Sequence, residues 1–428
     1  MKPISRRDAL AGAAALALTV GAAGAAQLPQ PQRAERSASG GPDMTPGSLE
    51  DYPPLLGLRQ RQLQGIEGLS VRILEAGFET PGRPLVLLLH GFPELAWSWR
   101  KVMPMLAQAG YHVVAPDQRG YGGTTGWDAC SDADVAGFRT HAYALDALRV
   151  VLTLGYHSVS AVVGHDFGSM VAAYATLVRP DVFRSLMMVS FPFDGPPALP
   201  FDDAGRALTP PGPSLAVELA ALPRPRKDSM AFFASPEAEA DMLYPPQGLH
   251  AFLRAYFHVK SADWPGNHPH ALASGSAAEL ATLPTYYIMD RALGMGATVA
   301  PDAPSPEQAA ANTWLPDADL DIYVRAFRHT GFQGALNWFR CHTGAIGRSE
   351  IALFSGRTIE VPTLFVSGVA DWGSYRKPGA LARLRETYPG LVGPTFIEGA
   401  GHWVQQEQPE RFASLLIDFL PSHRRDGK

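Results

Sequence analysis

The segment spanning residues 159–174 constrains the fold more than any other part of the chain. A β-branched and apolar run from Val159 to Val163 predicts a buried strand, and the residues from Phe167 onward predict a helix packed on it. Glycines stand two positions before and two positions after Asp166. They permit a strained strand-to-helix turn, because a Cβ at either position would collide with the neighbouring turn. The pattern therefore predicts that the Asp166 side chain projects above a sheet edge.

A carboxylate at this apex suits one kind of covalent chemistry. It is ionised at neutral pH and needs no base, but attack on an ester would produce a reactive anhydride. Its productive target is a saturated carbon that bears a leaving group, such as an epoxide or a carbon–halogen bond, with an alkyl ester as intermediate. A helix N-cap aspartate is the structural alternative. The motif alone leaves both interpretations open.

The first residues of the chain are typical of a twin-arginine export signal. Ser5, Arg6 and Arg7 precede an Ala/Leu/Val run to about Ala23, and small residues follow up to Ala26. We expect residues 1–26 to be removed and the mature protein to be periplasmic or secreted, without a stable membrane span. An uncleaved anchor is the alternative. The Pro-, Gly- and Ser-rich residues 27–54 predict a linker.

Composition excludes some classes of partner. The net charge is −5 and basic tracts are absent, which argues against nucleic acid. No Cys/His spacing predicts a metal site, and no motif predicts a cofactor. The two cysteines, Cys130 and Cys341, could pair in an oxidising compartment, and the sequence leaves this open. It also leaves open whether the protein forms a homodimer.

Strands and helices alternate on both sides of a long interruption. Strands are predicted at 63–67, 69–75, 84–90, 111–116 and 186–191, and helices at 95–109 and 134–155. This alternation predicts an α/β protein with a doubly wound, mostly parallel sheet. Strands return at 361–368 and 393–398. We therefore predict a core in two parts, 55–191 and 349–428, and a partly helical, Pro-rich insertion at 192–348 that caps the site.

Two further residues stand at predicted strand ends, where they could complete a catalytic triad. Asp371 follows the strand at 361–368, and His402 follows the last strand. Because the carboxyl ends of parallel strands share one edge of a sheet, we expect Asp166, Asp371 and His402 to meet there. Asp194, after the preceding strand, is the alternative acid.

A glycine turn after the strand at 84–90 is predicted to support the same site. Gly91 lets the amide of Phe92 point towards the turn, where it could form an oxyanion hole with the amide of Phe167. We expect His90 to be a hydrogen-bonded structural histidine. Asp117 and Arg119 are expected to order loops.

Together these motifs resemble the α/β-hydrolase superfamily and, within it, the epoxide hydrolases, with haloalkane and fluoroacetate dehalogenases as relatives. The resemblance covers about residues 55–420 and rests on His90–Glu94, Arg119–Gly122, Gly164–Gly168, Asp371 and Gly401-His402. It implies that Asp166 opens the ring, that His402 activates water against the ester, and that Asp371 orients His402. Phe167 stands where haloalkane dehalogenases usually carry Trp, which favours an epoxide hydrolase.

The insertion departs from this family at two positions. Epoxide hydrolases normally use two tyrosines there to bind the epoxide oxygen, and the resemblance places Phe339 and Phe232 at those positions. A phenyl ring cannot donate a proton, so another donor is needed. Tyr256 and Tyr287 are the first candidates, and the others are Tyr286, Tyr323, His258 and His342.

The aromatic residues of this region suit a small apolar or aromatic substrate. The residues predicted to bind it are Trp99, Phe232, Tyr256, Tyr287, Trp338 and Phe339. A dehalogenase is the second interpretation, because halide leaves without protonation and an indole of Trp99, Trp338 or Trp372 could bind it. A non-catalytic ligand-binding protein on the same fold is the third.

Overall fold

An eight-stranded β-sheet forms the centre of the computed structural model, which describes residues 49–128, 134–197, 214–344 and 346–420. The strands are β1 (Leu58–Ile66), β2 (Leu69–Ala76), β3 (Leu85–Leu89), β4 (His112–Pro116), β5 (Ala161–His165), β6 (Leu186–Val189), β7 (Arg226–Asp228), β8 (Ile288–Asp290), β9 (Thr363–Gly368) and β10 (Leu391–Ile397). Their order in the sheet is β1-β2-β4-β3-β5-β6-β9-β10, and β7 and β8 form a separate antiparallel pair.

The sheet is antiparallel at one edge and parallel elsewhere. Strand β2 runs antiparallel to β1 and β4, whereas β3, β4, β5, β6, β9 and β10 pair in parallel. Every residue of β3 is buried, as the unbroken apolar run from Leu85 to Leu89 predicts for a strand covered on both faces. The predicted α/β fold with a mostly parallel, doubly wound sheet is confirmed.

Helices cover the sheet and fill the insertion. They are α1 (Met103–Gln108), α2 (Thr140–Thr153), α3 (Phe167–Val178), α4 (Leu215–Ala220), α5 (Ser229–Phe233), α6 (Ala238–Leu243), α7 (Leu249–Lys260), α8 (Ala277–Leu280), α9 (Met295–Val299), α10 (Pro306–Ala311), α11 (Asp317–Thr330), α12 (Gln333–Thr343), α13 (Arg348–Ala352), α14 (Ala380–Thr387), α15 (Val404–Glu407) and α16 (Pro409–Phe419). None of the helices in the described ranges is long and apolar enough to cross a membrane.

Two predicted helices are each divided in the structure. The predicted helix at 95–109 consists of a 3-10 helix, Ala96–Trp99, and α1, which starts anew with a proline in its first turn. The predicted helix at 134–155 consists of a 3-10 helix, Val135–Phe138, and α2. Arg139 between them is extended, with φ −69° and ψ 149°, which breaks the helical hydrogen bonding.

The insertion lies between β6 and β9 and contacts the core through α12. Gly120, at φ +89°, approaches this helix so closely that a Cβ on it would lie 2.6 Å from the carbonyl oxygen of Gly334. Four residues further along α12, Trp338 packs on the ring of Phe167, with 5.3 Å between ring centroids. Helix α12 therefore packs beside the turn that carries Asp166.

Several expectations fall outside the described residues. They include the export signal, most of the predicted linker and Cys130. Cys341 is a buried free thiol whose Sγ lies 3.0 Å from the carbonyl oxygen of Val135. Because Cys130 lies outside the described residues, the pairing that the sequence left open is not tested.

Candidate active site

The turn between β5 and α3 is tightly built around Asp166. Asp166 adopts φ +53° and ψ −123°, a strained conformation for a residue with a side chain. A Cβ on Gly164 would lie 2.1 Å from the carbonyl oxygen of Gly168, and a Cβ on Gly168 would lie 2.6 Å from that of His90. Any side chain at either position would therefore clash with the backbone, which explains both glycines. The carboxylate of Asp166 projects beyond the carboxyl end of β5.

The side chains of Asp166, His402 and Asp371, each from a different strand end, form one chain of contacts. Oδ1 of Asp166 accepts a hydrogen bond of 3.2 Å from the amide of Phe92, and Oδ2 lies 3.4 Å from Nε2 of His402. Nδ1 of His402 lies 3.1 Å from Oδ1 of Asp371. His402 and Asp371 are buried, whereas the Asp166 side chain is 22% exposed. Among the described residues, no hydrogen bond joins the amide of Phe167 to this carboxylate.

Asp371 and His402 are held in a fixed arrangement. Asp371 accepts hydrogen bonds from the amide of Gly373 at 2.7 Å and from the hydroxyl of Ser367 at 3.0 Å. Because Asp371 can only accept when ionised, its contact assigns the proton of His402 to Nδ1. Nε2 is turned towards Asp166.

Charge at the site favours ionised carboxylates. Burial by itself raises the pKa of Asp166, but the nearby His402 and the buried ammonium of Lys260 outweigh it, and the pKa lies well below its ordinary value. Burial likewise opposes charge on Asp371, and His402 outweighs it, so the pKa of Asp371 is also lowered. Both groups are therefore anionic at neutral pH.

A buried pair, His165 and Glu94, contacts the backbone of His402. Nδ1 of His165 lies 2.6 Å from Oε2 of Glu94, and Nε2 of His165 donates to the carbonyl oxygen of His402 at 2.8 Å. Burial opposes charge on His165, but the carboxylate of Glu94 outweighs it and raises the pKa of His165. No role was predicted for His165 or Glu94 from the sequence. Their places within the segments Gly164–Gly168 and His90–Glu94 are the signal that could have indicated them.

Asp166 faces a small cavity of about 30 Å³ between the core and the insertion. Three of the six residues predicted to bind substrate line it, namely Tyr287, Trp338 and Phe339. The other lining residues are Asp166, Phe167, Ser190, Phe191, Met230, Gly373, Arg376 and His402. A larger cavity of about 340 Å³ adjoins it and shares Phe191.

The other three predicted substrate-binding residues lie outside the cavity lining. Trp99 packs on Phe412, with 5.9 Å between ring centroids, and the ring of Tyr256 lies 6.2 Å from that of Phe92. Phe232 lies against the ammonium of Lys227, 4.5 Å from its ring centroid. Met230 of the same helix reaches the cavity instead.

Comparison with known proteins assigns the chain to a family. Residues 84–214 match the family described as alpha/beta hydrolase fold. Epoxide hydrolase A of Mycobacterium tuberculosis is 33% identical over 366 residues, which cover 85% of this chain and 98% of that protein. The chain belongs to the epoxide hydrolase family. Epoxide hydrolase B of the same organism is 31% identical over 79% of this chain and 91% of its own length.

Solved structures of this family have the same fold. The epoxide hydrolase from an endophytic Streptomyces is 29% identical and superimposes with a TM-score of 0.67 over 86% of this chain and 96% of its own. Epoxide hydrolase I from potato, Solanum tuberosum, is 28% identical, with a TM-score of 0.64 over 85% of this chain and 98% of its own. The protein is thus an epoxide hydrolase-like enzyme with the α/β-hydrolase fold.

Tyr287 is the candidate hydroxyl donor that lines the cavity. Burial raises the pKa of Tyr287 well above its ordinary value, so its hydroxyl stays protonated and can donate. Trp338 offers a second donor, because its buried Nε1 has no hydrogen-bond partner among the described residues. Arg376 adds a guanidinium to the same wall. Arg376 was not predicted from the sequence, because it belongs to no recognised motif.

The remaining candidate donors have other surroundings. The hydroxyl of Tyr286 donates to Asn267 at 2.7 Å, and the ring of Tyr323 packs on Phe257 at 5.2 Å. His258 lines a separate cavity of about 230 Å³, and His342 stacks on the indole of Trp338.

Asp194, the alternative acid, forms ion pairs away from His402. Its carboxylate accepts from Lys377 at 2.5 Å and from Arg383 at 2.7 Å. The structure thus places Asp371, and not Asp194, beside His402.

Proposed function

We propose that this enzyme hydrolyses an epoxide to a diol through a covalent ester on Asp166. The observation that carries this proposal is the arrangement of the carboxylate. One oxygen is held by the amide of Phe92, and the other faces Nε2 of His402 across 3.4 Å. An ionised carboxylate needs no base in order to attack, so His402 remains available for the second step.

In the first step, Oδ2 of Asp166 attacks an epoxide carbon, and the bond from that carbon to the ring oxygen breaks. Tyr287 lines the same cavity and gives its proton to the ring oxygen. The products of this step are an alkyl ester, a hydroxyl group and the phenolate of Tyr287. The position of Tyr287 in the cavity wall and its protonated hydroxyl support its role as the proton donor.

In the second step, water attacks the ester carbonyl while Nε2 of His402 takes a proton from it. Oδ1, now the carbonyl oxygen, becomes an oxyanion beside the amide of Phe92, and Asp371 stabilises the imidazolium. The oxyanion collapses, and the leaving oxygen of the diol takes the proton from His402. The other proton of the water returns to Tyr287, which restores the starting state.

The cavity lining supports a small apolar or aromatic substrate. Phe167, Phe191, Trp338 and Phe339 surround the reactive carboxylate. The space directly beside Asp166 holds little more than the reacting group. A larger substituent would extend past Phe191 into the adjoining cavity of about 340 Å³.

Dehalogenation is the second candidate function, and one observation favours it. The indole N–H of Trp338 is buried at the cavity and has no hydrogen-bond partner in the described part of the chain. An N–H in an apolar wall suits a halide that leaves without a proton. The lack of Trp directly after Asp166 weighs against this candidate.

We also propose export by the twin-arginine route, on the basis of Arg6 and Arg7 and the apolar run that follows them. Fractionation of cells that produce the full chain tests this proposal. The mature protein should appear outside the cytoplasm, and an Arg6→Lys/Arg7→Lys double variant should keep it inside.

The experiment that tests the function compares the wild type with Asp166→Asn on styrene-type and aliphatic epoxides and on brominated and fluorinated acids. We expect diol formation that Asp166→Asn abolishes and that the matched variant Asp194→Asn retains. Halide release without diol would support the dehalogenase instead. If no product forms and mass spectrometry finds no adduct, the non-catalytic ligand-binding interpretation gains support.

A further inference from the structure

Two positive charges lie close to the ring of Tyr287. Cζ of Arg376 is 4.8 Å from the ring centroid, and Nζ of Lys260 is 5.2 Å from it. Both distances fall within the range in which a cation interacts with an aromatic ring. Tyr287 is also the phenol that lines the cavity of Asp166 in the described structure.

Lys260 is an unusual residue at this place because its charge is buried. The residue is 5% exposed, and within the described ranges no carboxylate lies within 4 Å of its ammonium. Its other neighbours are the rings of Tyr256 and Trp403, each with its centroid 5.4 Å from Nζ. A buried ammonium without a paired carboxylate destabilises a fold, so general stability does not explain it.

Lys260 is also tied to the loop that carries His402. The carbonyl oxygen of Lys260 accepts a hydrogen bond of 2.8 Å from the amide of His402. Burial lowers the pKa of Lys260, while the carboxylates of Asp166 and Asp371 oppose this change. The ammonium therefore belongs to the charge balance of the catalytic groups.

Arg376 is fixed beside Tyr287 by the small β7-β8 sheet. Its Nη2 donates to Oδ1 of Asp228 at 2.6 Å and to the hydroxyl of Ser229 at 3.2 Å. The amide of Ser229 in turn donates to the carbonyl oxygen of Tyr287 at 2.9 Å. These contacts set the guanidinium and the phenol in one rigid arrangement.

The charges around Tyr287 shift its pKa in opposite directions. Burial and the carboxylates of Asp371 and Asp166, together with Tyr286, raise the pKa of Tyr287, whereas Arg376 lowers it. A phenol in an anionic, buried site would be a weak acid and therefore a poor donor to a leaving alkoxide. Nearby cations favour the phenolate that remains after proton transfer.

We propose that Lys260 and Arg376 act together on Tyr287, so that its hydroxyl can donate to the leaving oxygen in a site where Phe232 and Phe339 stand at the positions of the usual donors. The inference rests on the proposed function. As the carbon–oxygen bond of the epoxide breaks, the ring oxygen takes the proton of Tyr287, and the phenolate is stabilised by both cations until a proton from water returns to it. Lys260 and Arg376 are positioning residues, because they act through Tyr287.

The first test measures the single-turnover rate of ester formation in Lys260→Met and Arg376→Met. The substrates are propylene oxide and 3,3,3-trifluoropropylene oxide, whose fluorines make the leaving alkoxide less basic. We expect each variant to lose about tenfold on propylene oxide, a fraction of what a general acid contributes, and clearly less on the fluorinated epoxide. Hydrolysis of the ester needs no donor to the ring oxygen and should therefore fall less than ester formation.

A matched control separates this effect from general damage. Lys227→Met removes another ammonium that faces a ring, that of Phe232, outside the cavity lining. This variant should keep the wild-type rates on both epoxides. Equal losses on both substrates, or the same losses in Lys227→Met, would overturn the inference.

The Lys260 variant also distinguishes a role in folding from a role in catalysis. Met fills a similar volume and removes a buried charge, so the free energy of unfolding should not fall. If Lys260→Met does not fold, the test relies on Arg376→Met. The Arg376 side chain is 18% exposed, so its replacement should disturb folding less. Arg376→Lys restores a positive charge and should recover part of the rate.

A second measurement does not depend on any substrate. 3-Fluorotyrosine is placed at position 287 in the full chain, and its ionisation is followed by ¹⁹F NMR as the pH is raised. Neutralising Lys260 or Arg376 should raise the pKa at this position by about one unit, a shift of the size that a nearby charge produces. If the wild type opens no epoxide, the proposed function fails and this titration still decides the inference. An unchanged pKa in both variants would refute it.

Discussion

Nε2 of His402 lies 3.4 Å from Oδ2 of Asp166 and makes no hydrogen bond in the described part of the chain. A serine nucleophile would need a hydrogen bond to its base at this point, because its hydroxyl must lose a proton before it attacks. A carboxylate has no such need. The spacing therefore suits a histidine that acts only after the ester has formed, when water must be deprotonated beside it.

Replacement of His402 should stop the reaction halfway. In His402→Gln we expect ester formation with an epoxide but hydrolysis slower by about three orders of magnitude or more. The mass of the intact protein should increase by the mass of the epoxide, and peptide mapping should place the adduct on Asp166. His258→Gln, in a separate cavity, is the control and should turn over without an adduct. An adduct on another residue would contradict the mechanism.

Asp371, and not Asp194, should be the acid that His402 requires. Asp371→Asn removes the charge beside Nδ1, and we expect turnover to fall by about 10²–10⁴-fold. Asp194→Asn breaks ion pairs with Lys377 and Arg383 and should change turnover less than about threefold, although it costs about 1 kcal/mol of stability. Steady-state kinetics and denaturant unfolding of both variants measure these effects. The opposite order of activities would reassign the triad.

The pH dependence of ester formation should show no acid limb near neutrality. The pKa of Asp166 is lowered from an ordinary value of about 3.9, so the attacking form is fully populated at higher pH and is lost only as the pH falls through the lowered value. Single-turnover rates by rapid quench should therefore be constant between about pH 5 and 8. Circular dichroism at each pH controls for unfolding. A rate that declines from pH 8 to pH 5 would mean that another group limits the attack.

The sequence predicted the parts of the fold and site that follow from local patterns. Strand β3 is apolar throughout because both of its faces are buried, and this pattern can be recognised without any tertiary information. Asp371 and His402 could be paired with Asp166 because the ends of parallel strands meet at one edge. The glycines around Asp166 indicated the turn, since their contacts lie within the turn and the adjacent loop at His90.

The contents of the cavity could not be predicted in the same way. Lys260 ends a helix of the insertion and Arg376 lies in a loop, and only tertiary packing brings them both to Tyr287. Phe232 has the expected sequence context, but Met230 of the same helix lines the cavity instead. Such details depend on contacts between distant segments, which leave no periodic signal in the sequence.

The contact between Gly120 and Gly334 should control both stability and activity. Gly120→Ala would place a methyl group 2.6 Å from the carbonyl oxygen of Gly334 at a positive φ, and must therefore displace α12 with Trp338 and Phe339. We expect a loss of about 2–4 kcal/mol in the free energy of unfolding and a lower kcat/KM. Gly155→Ala is the matched control, because Gly155 has φ +83° but no atom within 4 Å of its Cβ position. It should cost about 1 kcal/mol and leave kcat/KM unchanged. Equal effects of the two variants would mean that α12 does not depend on this contact to hold the cavity together.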